Sequence, residues 1–367
     1  MKHKKIIIAG GTGFIGQGII KYFGRDNEMV VLTRQSGNAH KNLYSEKLIS
    51  EKEDFNVRYV KWNGEIMEES WTKEIDGADL VINLSGRSVN CRYHRKQKQQ
   101  IFESRTNPTK AIGNAIRTAV HAPKVWINFA STTIYKNTLD RPNDEATGII
   151  RDGKSDNMPY NFIDQARHRK NKLFARLVQG KDSVAYKELD LDFSVQVCKL
   201  WEKTFFEERT PLTRKITLRT AIVLGEGGVI RPYLNLCKFG LGGKHGSGKQ
   251  MFSWVHIEDV ARMIEWMFEQ EGAAGIYNCV APNAVSNISF MKTLRQRTGH
   301  KIGLPSPVCL LEAGAFLIGT ETELILKSRW VLPARAMREG FEFKYKSLDE
   351  ALKNIISLLP RKHYHLF

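Results

Sequence analysis

In KIIIAGGTGFIG three glycines, Gly10, Gly13 and Gly16, stand at GxxGxxG spacing between a β-branched apolar run and a helical one. Phe14, Ile15, Ile19, Ile20 and Phe23 recur at helical spacing, and Gly24 supplies the stop. A strand that turns through glycines directly into a helix restricts the chain to few folds. The first glycine permits the tight turn, the middle one lets backbone N–H groups approach a pyrophosphate, and the last allows close helix–strand packing. The phosphate then sits at the positive end of the helix. This context, more than the spacing, points to nucleotide binding. An export signal is the rival reading of the same residues, and it fails on length. Only Ile6, Ile7, Ile8 and Ala9 run unbroken, short of the roughly 7–15 apolar residues such a signal needs.

KIIIA, EMVVLT, VRYVKW, DLVINL and KVWINFA are short and apolar, as strands buried on both faces are. A long helical stretch from about Arg95 to Ala119 precedes the last of them. Strands alternating with helices require parallel crossovers, so the expected fold is α/β, a Rossmann-type doubly wound sheet. The pattern lapses from about 149 to 191, then resumes with a helix in SVQVCKLWEKTFFEE, a strand in KITLRTAIVLG and a helix in IEDVARMIEWMFEQ. The last 65 or so residues read as short helices, ending in SLDEALKNIISLL. This gives a nucleotide-binding domain over 1–224, with an insertion at about 149–191, and a smaller mixed C-terminal substrate lobe over 225–367.

The formal charge of +17 attracts polyanions in principle. No zinc-ligand spacing and no aromatic-basic RNA signature accompanies it, so nucleic acid is not an expected partner and a basic soluble surface is the plain reading. Cys91, Cys198, Cys237, Cys279 and Cys309 are scattered without a CxxC pair, which suits a reducing compartment. No run reaches the ~18 apolar residues of a membrane span. The expectation is a cytoplasmic protein without a membrane anchor, monomeric or homodimeric, and without a metal, since its His and Cys residues lack ligand spacing.

The second strand bears on the kind of nucleotide. NAD sites place a carboxylate there for the ribose 2′-hydroxyl. Here EMVVLTRQSGN ends in Thr33 and Arg34. A guanidinium at that tip suits a 2′-phosphate, so the expected cofactor is NADP, with NAD as the alternative.

GGTGFIG, NLSG (Asn83 to Gly86) and FASTTIY (Phe129 to Tyr135) together resemble the extended short-chain dehydrogenase/reductases. KQKQQIFESR, LRTAIVLGEGGVI, FGLGGKHGSGKQMFSWVHIEDV, GIYNCVAPNAVSN and LPARAMREGFEFKYKSLDEAL are similar to one branch, the sugar-nucleotide-epimerase-like proteins that end in a domain of unknown function. The resemblance implies that Gly10, Thr12, Gly13, Phe14, Ile15 and Gly16 line the pyrophosphate and that Arg34 meets the adenosine phosphate. It puts Asn83, Leu84, Ser85 and Gly86 beside the ribose and nicotinamide. Ser131 takes the place of the catalytic serine or threonine that polarises a carbonyl.

The resemblance also implies a tyrosine and a lysine four residues apart, the lysine lowering the phenol's pKa for proton exchange. Aligned on Glu202, the helix DFSVQVCKLWEKTFFEE puts Ser194 and Cys198 at those places, and Lys199 lies about 100° off the required face. Tyr135 is then the nearest substitute, with His256 and Lys98 as alternatives. Lys98, Lys244, Lys249 and His256 are the expected substrate-side contacts, from the basic segment CRYHRKQKQQ, the glycine-rich loop FGLGGKHGSGKQ and the strand end SWVHIEDV. Each has a structural reading too: a solvated helix start, a flexible loop, a strand-end histidine that bonds locally. The function implied is epimerase or oxidoreductase chemistry on a small polar, phosphorylated or nucleotide-linked substrate. The alternative is an NADP-binding regulator that turns nothing over.

Overall fold

The protein is described here by a computed structural model, which covers residues 1–34, 55–89, 91, 93–150, 192–307 and 328–366. The five apolar runs are strands β1 (Lys5–Ala9), β2 (Glu28–Thr33), β3 (Val57–Lys61), β4 (Leu80–Asn83) and β5 (Val125–Ser131). With β6 (Arg214–Thr220) and β10 (Gly275–Cys279) they make a seven-stranded sheet in the order β3-β2-β1-β4-β5-β6-β10, parallel at every pairing.

Side chains alternate along each strand, and both faces are covered. Ile6 and Ile8 join one core with Ile19, Ile20 and Phe23 of α1 (Phe14–Phe23) and with Val260, Met263, Ile264 and Met267 of α6 (Ile257–Glu269). Ile7 and Ala9 face the other core, built with α2 (Glu69–Ile75), α3 (Arg95–Thr118) and Phe205 of α4 (Phe193–Glu207). Successive connections run outward from β1 through β2 and β3, then return to β4 on its other side. The carboxyl ends of β1 and β4 therefore flank the crevice where such sheets bind ligands.

KITLRTAIVLG is one apolar run but two strands. β6 ends at Thr220, the Ala221 N–H bonds the Cys279 carbonyl at 3.1 Å, and β7 (Ile222–Leu224) pairs instead with β9 (Trp254–His256). A two-stranded antiparallel pair joins β8 (Met251–Phe252) to β11 (Val285–Ser286). Around these lies a separate core from α5 (Ile230–Lys238), α7 (Asn287–Thr298) and α8 (Leu348–Leu358). The division at 224/225 is therefore corrected in one respect. The chain crosses into the second core at Leu224, but α6 and β10 return to complete the main sheet. Among the described residues no helix is long and apolar enough to cross a membrane.

Candidate functional site

The glycine turn is built as its spacing requires, with the three glycines in different roles. Gly10 has φ +74°, and a Cβ there would stand 3.1 Å from the backbone of Leu84 and Ser85, so only glycine lets β1 approach the end of β4 this closely. A Cβ at Gly16 would fall 2.3 Å from the Gly11 carbonyl oxygen, which makes Gly16 the packing glycine. At Gly13 the added atom meets nothing nearer than the Gly10 oxygen at 3.9 Å. No protein atom needs that space, and it opens into a cleft of about 480 Å³.

α1 begins at Gly13 without a side-chain cap and without an acidic residue in its first turn. Its first N–H groups are thus left for an anion, at the positive end of the dipole. Gln17 braces the loop by donating from Nε2 to the Thr12 carbonyl at 3.1 Å. Phe14 and Ile15 contribute only backbone here, because their side chains pack on the core. The Phe14 ring lies so close under Gly225 and Gly228 that a Cβ at either would sit 2.8 Å from it.

Gly10, Thr12 and Gly13 line the cleft with Leu84, Ser85 and Gly86 from the end of β4. The Ser85 Oγ is buried there and has no hydrogen-bond partner among the described residues. An orphaned hydroxyl beside an unfilled glycine cradle fits a polar ligand such as the dinucleotide, whose pyrophosphate these groups would hold. Asn83 stands behind the wall. Fully buried, it donates to Asn128 Oδ1 (2.8 Å) and Thr109 Oγ1 (3.1 Å) and accepts from the Ser85 N–H (3.0 Å), so it fixes the loop without touching the cleft. Arg34 reaches the far end, exposed at the tip of β2. Glu65 lines the same end, where its carboxylate accepts from Asn107 Nδ2 at 3.1 Å.

A second pocket of about 230 Å³ lies beyond the end of β5. Ser131, Ser194 and Cys198 all line it, the last two one turn apart on α4. The Ser131 Oγ donates to Thr133 Oγ1 (3.0 Å) and accepts from the Thr133 N–H (3.2 Å), capping the short turn Thr132–Ile134. Burial pushes the Cys198 thiol up to about 12, so it supplies neither a thiolate nor a cation at neutral pH. Besides Arg329, the cation in this pocket is Arg105, from α3, beside Tyr93. Neither had been singled out from sequence. The signal was present in KQKQQIFESR and CRYHRKQKQQ, hidden among five other basic residues with nothing in a linear pattern to distinguish an inward side chain.

Tyr135 does not reach the pocket. Its phenol is buried, accepts from Arg219 Nη1 at 2.8 Å and donates to Asn278 Oδ1 at 3.0 Å. Arg219 in turn grips Glu202 of α4 with two bonds of 2.8 Å. This closed network ties β5, α4, β6 and β10 together, and it holds α4 at the angle that presents Ser194 and Cys198. Burial raises the Tyr135 pKa, against proton release at neutral pH.

The profile of the NAD-dependent epimerase/dehydratase family matches residues 6–169, and that of a domain of unknown function matches 307–355. The epimerase family protein YfhF of Bacillus subtilis is 30% identical over 354 residues, covering 96% of this chain and 98% of that protein. The chain belongs to the NAD-dependent epimerase/dehydratase family. An epimerase family protein of Staphylococcus saprophyticus is 29% identical over 361 residues, covering 97% and 100%. Among solved structures, a human epimerase family protein crystallised with NADPH superposes with a TM-score of 0.71 at 23% identity, covering 96% and 99%. A UDP-N-acetylglucosamine 4-epimerase from Methanobrevibacter ruminantium gives 0.66 at 15%, covering 97% and 98%. These structures share the fold of this epimerase-family chain.

The remaining predicted contacts of this family member lie apart from both cavities. His256 caps α6, its Nδ1 accepting the Glu258 N–H at 3.1 Å, with its ring 3.9 Å from that of Tyr345. The strand-end histidine that bonds locally is the reading the geometry favours, and burial drops its pKa to about 4. Lys244 and Lys249 are exposed on the glycine-rich loop and line neither cavity. Lys98 is exposed, its ammonium 5.2 Å from the centre of the Phe193 ring, and it lines neither cavity. Arg92 and the stretch 151–191 lie outside the described residues. Among the described residues no cluster of His, Cys, Asp or Glu is arranged to hold a metal.

Proposed function

We propose that this family member is an NADP(H)-dependent oxidoreductase or epimerase-like enzyme acting on a small carbonyl or carbinol compound in the second pocket, and that it works in the cytoplasm. The observation that carries the reading is the shared wall between the two cavities. Gly86 and Ser104 line the dinucleotide cleft, Arg105 lines the second pocket, and a Cβ at Gly86 would stand 3.2 Å from the Arg105 guanidinium carbon. The two cavities are therefore neighbours across this wall.

When bound, the nicotinamide supplies or accepts a hydride. The chain's own groups hold the partner and manage its proton. Ser131 is placed to hydrogen-bond a carbonyl oxygen, since it lines the pocket at the strand end. With Tyr135 locked into the Arg219 network, Tyr93 is the phenol that lines the pocket, and the Arg105 charge interacts with it. A cation beside a phenol is the kind of pair that the missing lysine and tyrosine would otherwise supply. Arg34 and the orphaned Ser85 hydroxyl support the phosphorylated cofactor.

Single-turnover oxidation of bound NADPH by a panel of aldehydes and ketones tests the proposal. Tyr93→Phe is expected to slow the chemical step at least tenfold with NADPH affinity unchanged. One observation favours a second reading: Ser194 and Cys198 leave the usual proton relay empty. If NADPH binds and no compound oxidises it, the protein is a non-catalytic NADP-binding regulator.

A further inference from the structure

The second pocket holds one cation, Arg105, that has no carboxylate partner among the described residues. It is lined by two arginines, Arg105 and Arg329, and by no aspartate or glutamate. Arg105 donates from Nη1 to the Ile101 carbonyl (3.0 Å) and Ser104 Oγ (3.4 Å), and from Nη2 to the Arg87 carbonyl (3.2 Å). All three acceptors are neutral, and no carboxylate pairs with it among the described residues. Burial works against the charge and pulls its pKa down.

Two other enclosed arginines, Arg219 and Arg214, are treated differently. Arg219 has the bidentate Glu202. Arg214 donates to the carbonyls of Met267, Phe268 and Ala273, two of which belong to the last turn of α6, where the helix dipole is negative. Arg105 sits within α3 and has neither form of compensation. Two carboxylates that act on Cys198 in the pocket are already engaged: Glu202 by Arg219, and Asp192 as the cap of α4, accepting the Val195 N–H at 3.2 Å. A half-buried cation with no counter-charge among the described residues is costly, and a pocket that keeps one is suited to an incoming anion.

The rest of the pocket defines the body attached to that anion. Phe193, Val197, Trp201 and Ile222 line it, and the Arg105 guanidinium lies 5.2 Å from the Trp201 ring centre. Its volume of about 230 Å³ is below the range of about 300–1,000 Å³ usual for drug-sized ligands, too small for a sugar with its nucleotide. We propose that the second pocket binds a small apolar acid, an aryl or branched-alkyl carbonyl compound whose carboxylate seats on the Arg105 guanidinium. This rests on the reading of that pocket as the substrate site, and replaces a polar or nucleotide-linked substrate with an apolar carboxylate.

The test is calorimetric titration of the NADP⁺-loaded full chain, in which the oxidised cofactor prevents turnover. Phenylpyruvate and 4-methyl-2-oxopentanoate are compared with the neutral ketone benzylacetone and with UDP-glucose. At least one of the two acids is expected to bind tenfold or more tightly than the ketone. In Arg105→Met that advantage disappears while NADP⁺ affinity stays within threefold, and Arg105→Lys keeps part of it. Equal binding of acid and ketone, preference for UDP-glucose, or no binding of either acid overturns the proposal. Loss of NADP⁺ binding in Arg105→Met also overturns it, because the guanidinium would then serve the cofactor. If the wild-type chain binds no NADP⁺, the cofactor reading is what fails, and the same acid–ketone comparison on the free protein decides the inference.

Discussion

Removing the Arg219 side chain should destabilise the protein more than any change at its surface. Arg219 and Glu202 are 7% and 9% exposed and joined by two 2.8 Å bonds, and Arg219 also donates to Tyr135. In Arg219→Met the Glu202 carboxylate is stranded in the interior, at about 3–5 kcal/mol. The lost donor to the phenol adds about 1 kcal/mol. At about 2.1 cal/mol/K per residue, unfolding this 367-residue chain has an entropy near 0.8 kcal/mol/K, so the melting temperature should fall about 5–8 °C. Reversible urea unfolding of the wild type, Arg219→Met, Glu202→Leu and the double variant gives the energies as a cycle. The double variant should recover most of the loss, since an apolar pair leaves no buried charge. A single-variant cost below about 1 kcal/mol, or a double variant no better than the worse single, would show that the network does not hold α4 as described.

The glycines of the turn separate cleanly. Gly13→Ala should fold with unchanged melting temperature and bind NADPH at least tenfold more weakly, whereas Gly16→Ala should fail to fold or lose several degrees; equal melting temperatures would refute the packing role of Gly16. Burial lowers His245 to about 4 from an ordinary 6.5, and the folded protein therefore refuses a proton that the unfolded chain accepts below 6.5. The stability this gives is full above pH 6.5 and is lost as pH falls toward 4, so His245→Phe should lose less stability than wild type between pH 7 and pH 5, measured by urea midpoints. Cys91 is partly exposed, while burial raises the Cys198 thiol to about 12 and the Cys237 thiol to about 11. Iodoacetamide at pH 8 should label Cys91 well before either, and mass spectrometry finding Cys198 labelled as fast would contradict its enclosed setting.

Periodicity made most of the main sheet readable. KIIIA and EMVVLT are strands with the predicted bounds, and α1 ends at Gly24 as its spacing implied. Strands buried on both faces leave an unmistakable run of β-branched residues. GIYNC has a single β-branched residue and an asparagine in place of an apolar run, so β10 escaped notice although it lies at the edge of the sheet. The break at Ala221 was equally invisible, because β6 and β7 share one apolar run and only the Cys279 contact divides them. At the site, the glycine turn was legible because a fixed spacing carries it. Tyr135 and His256 misled for the opposite reason: a side chain at a strand end can turn into the pocket or into the core, and its partners Arg219, Asn278 and Tyr345 are distant in sequence. Arg105 is recognised only once its lack of a counter-charge is visible in three dimensions.

The most direct test of the dinucleotide site is a fluorescence titration of the purified protein with NADPH and NADH side by side, repeated on Arg34→Ala. One charge-assisted contact to the 2′-phosphate contributes about 1.5–3 kcal/mol, a preference for NADPH of roughly 10- to 150-fold. Arg34→Ala is expected to abolish that preference and leave NADH binding unchanged. Equal affinities in the wild type would remove the case for the phosphorylated cofactor, and binding of neither would contradict the assignment of the cleft itself.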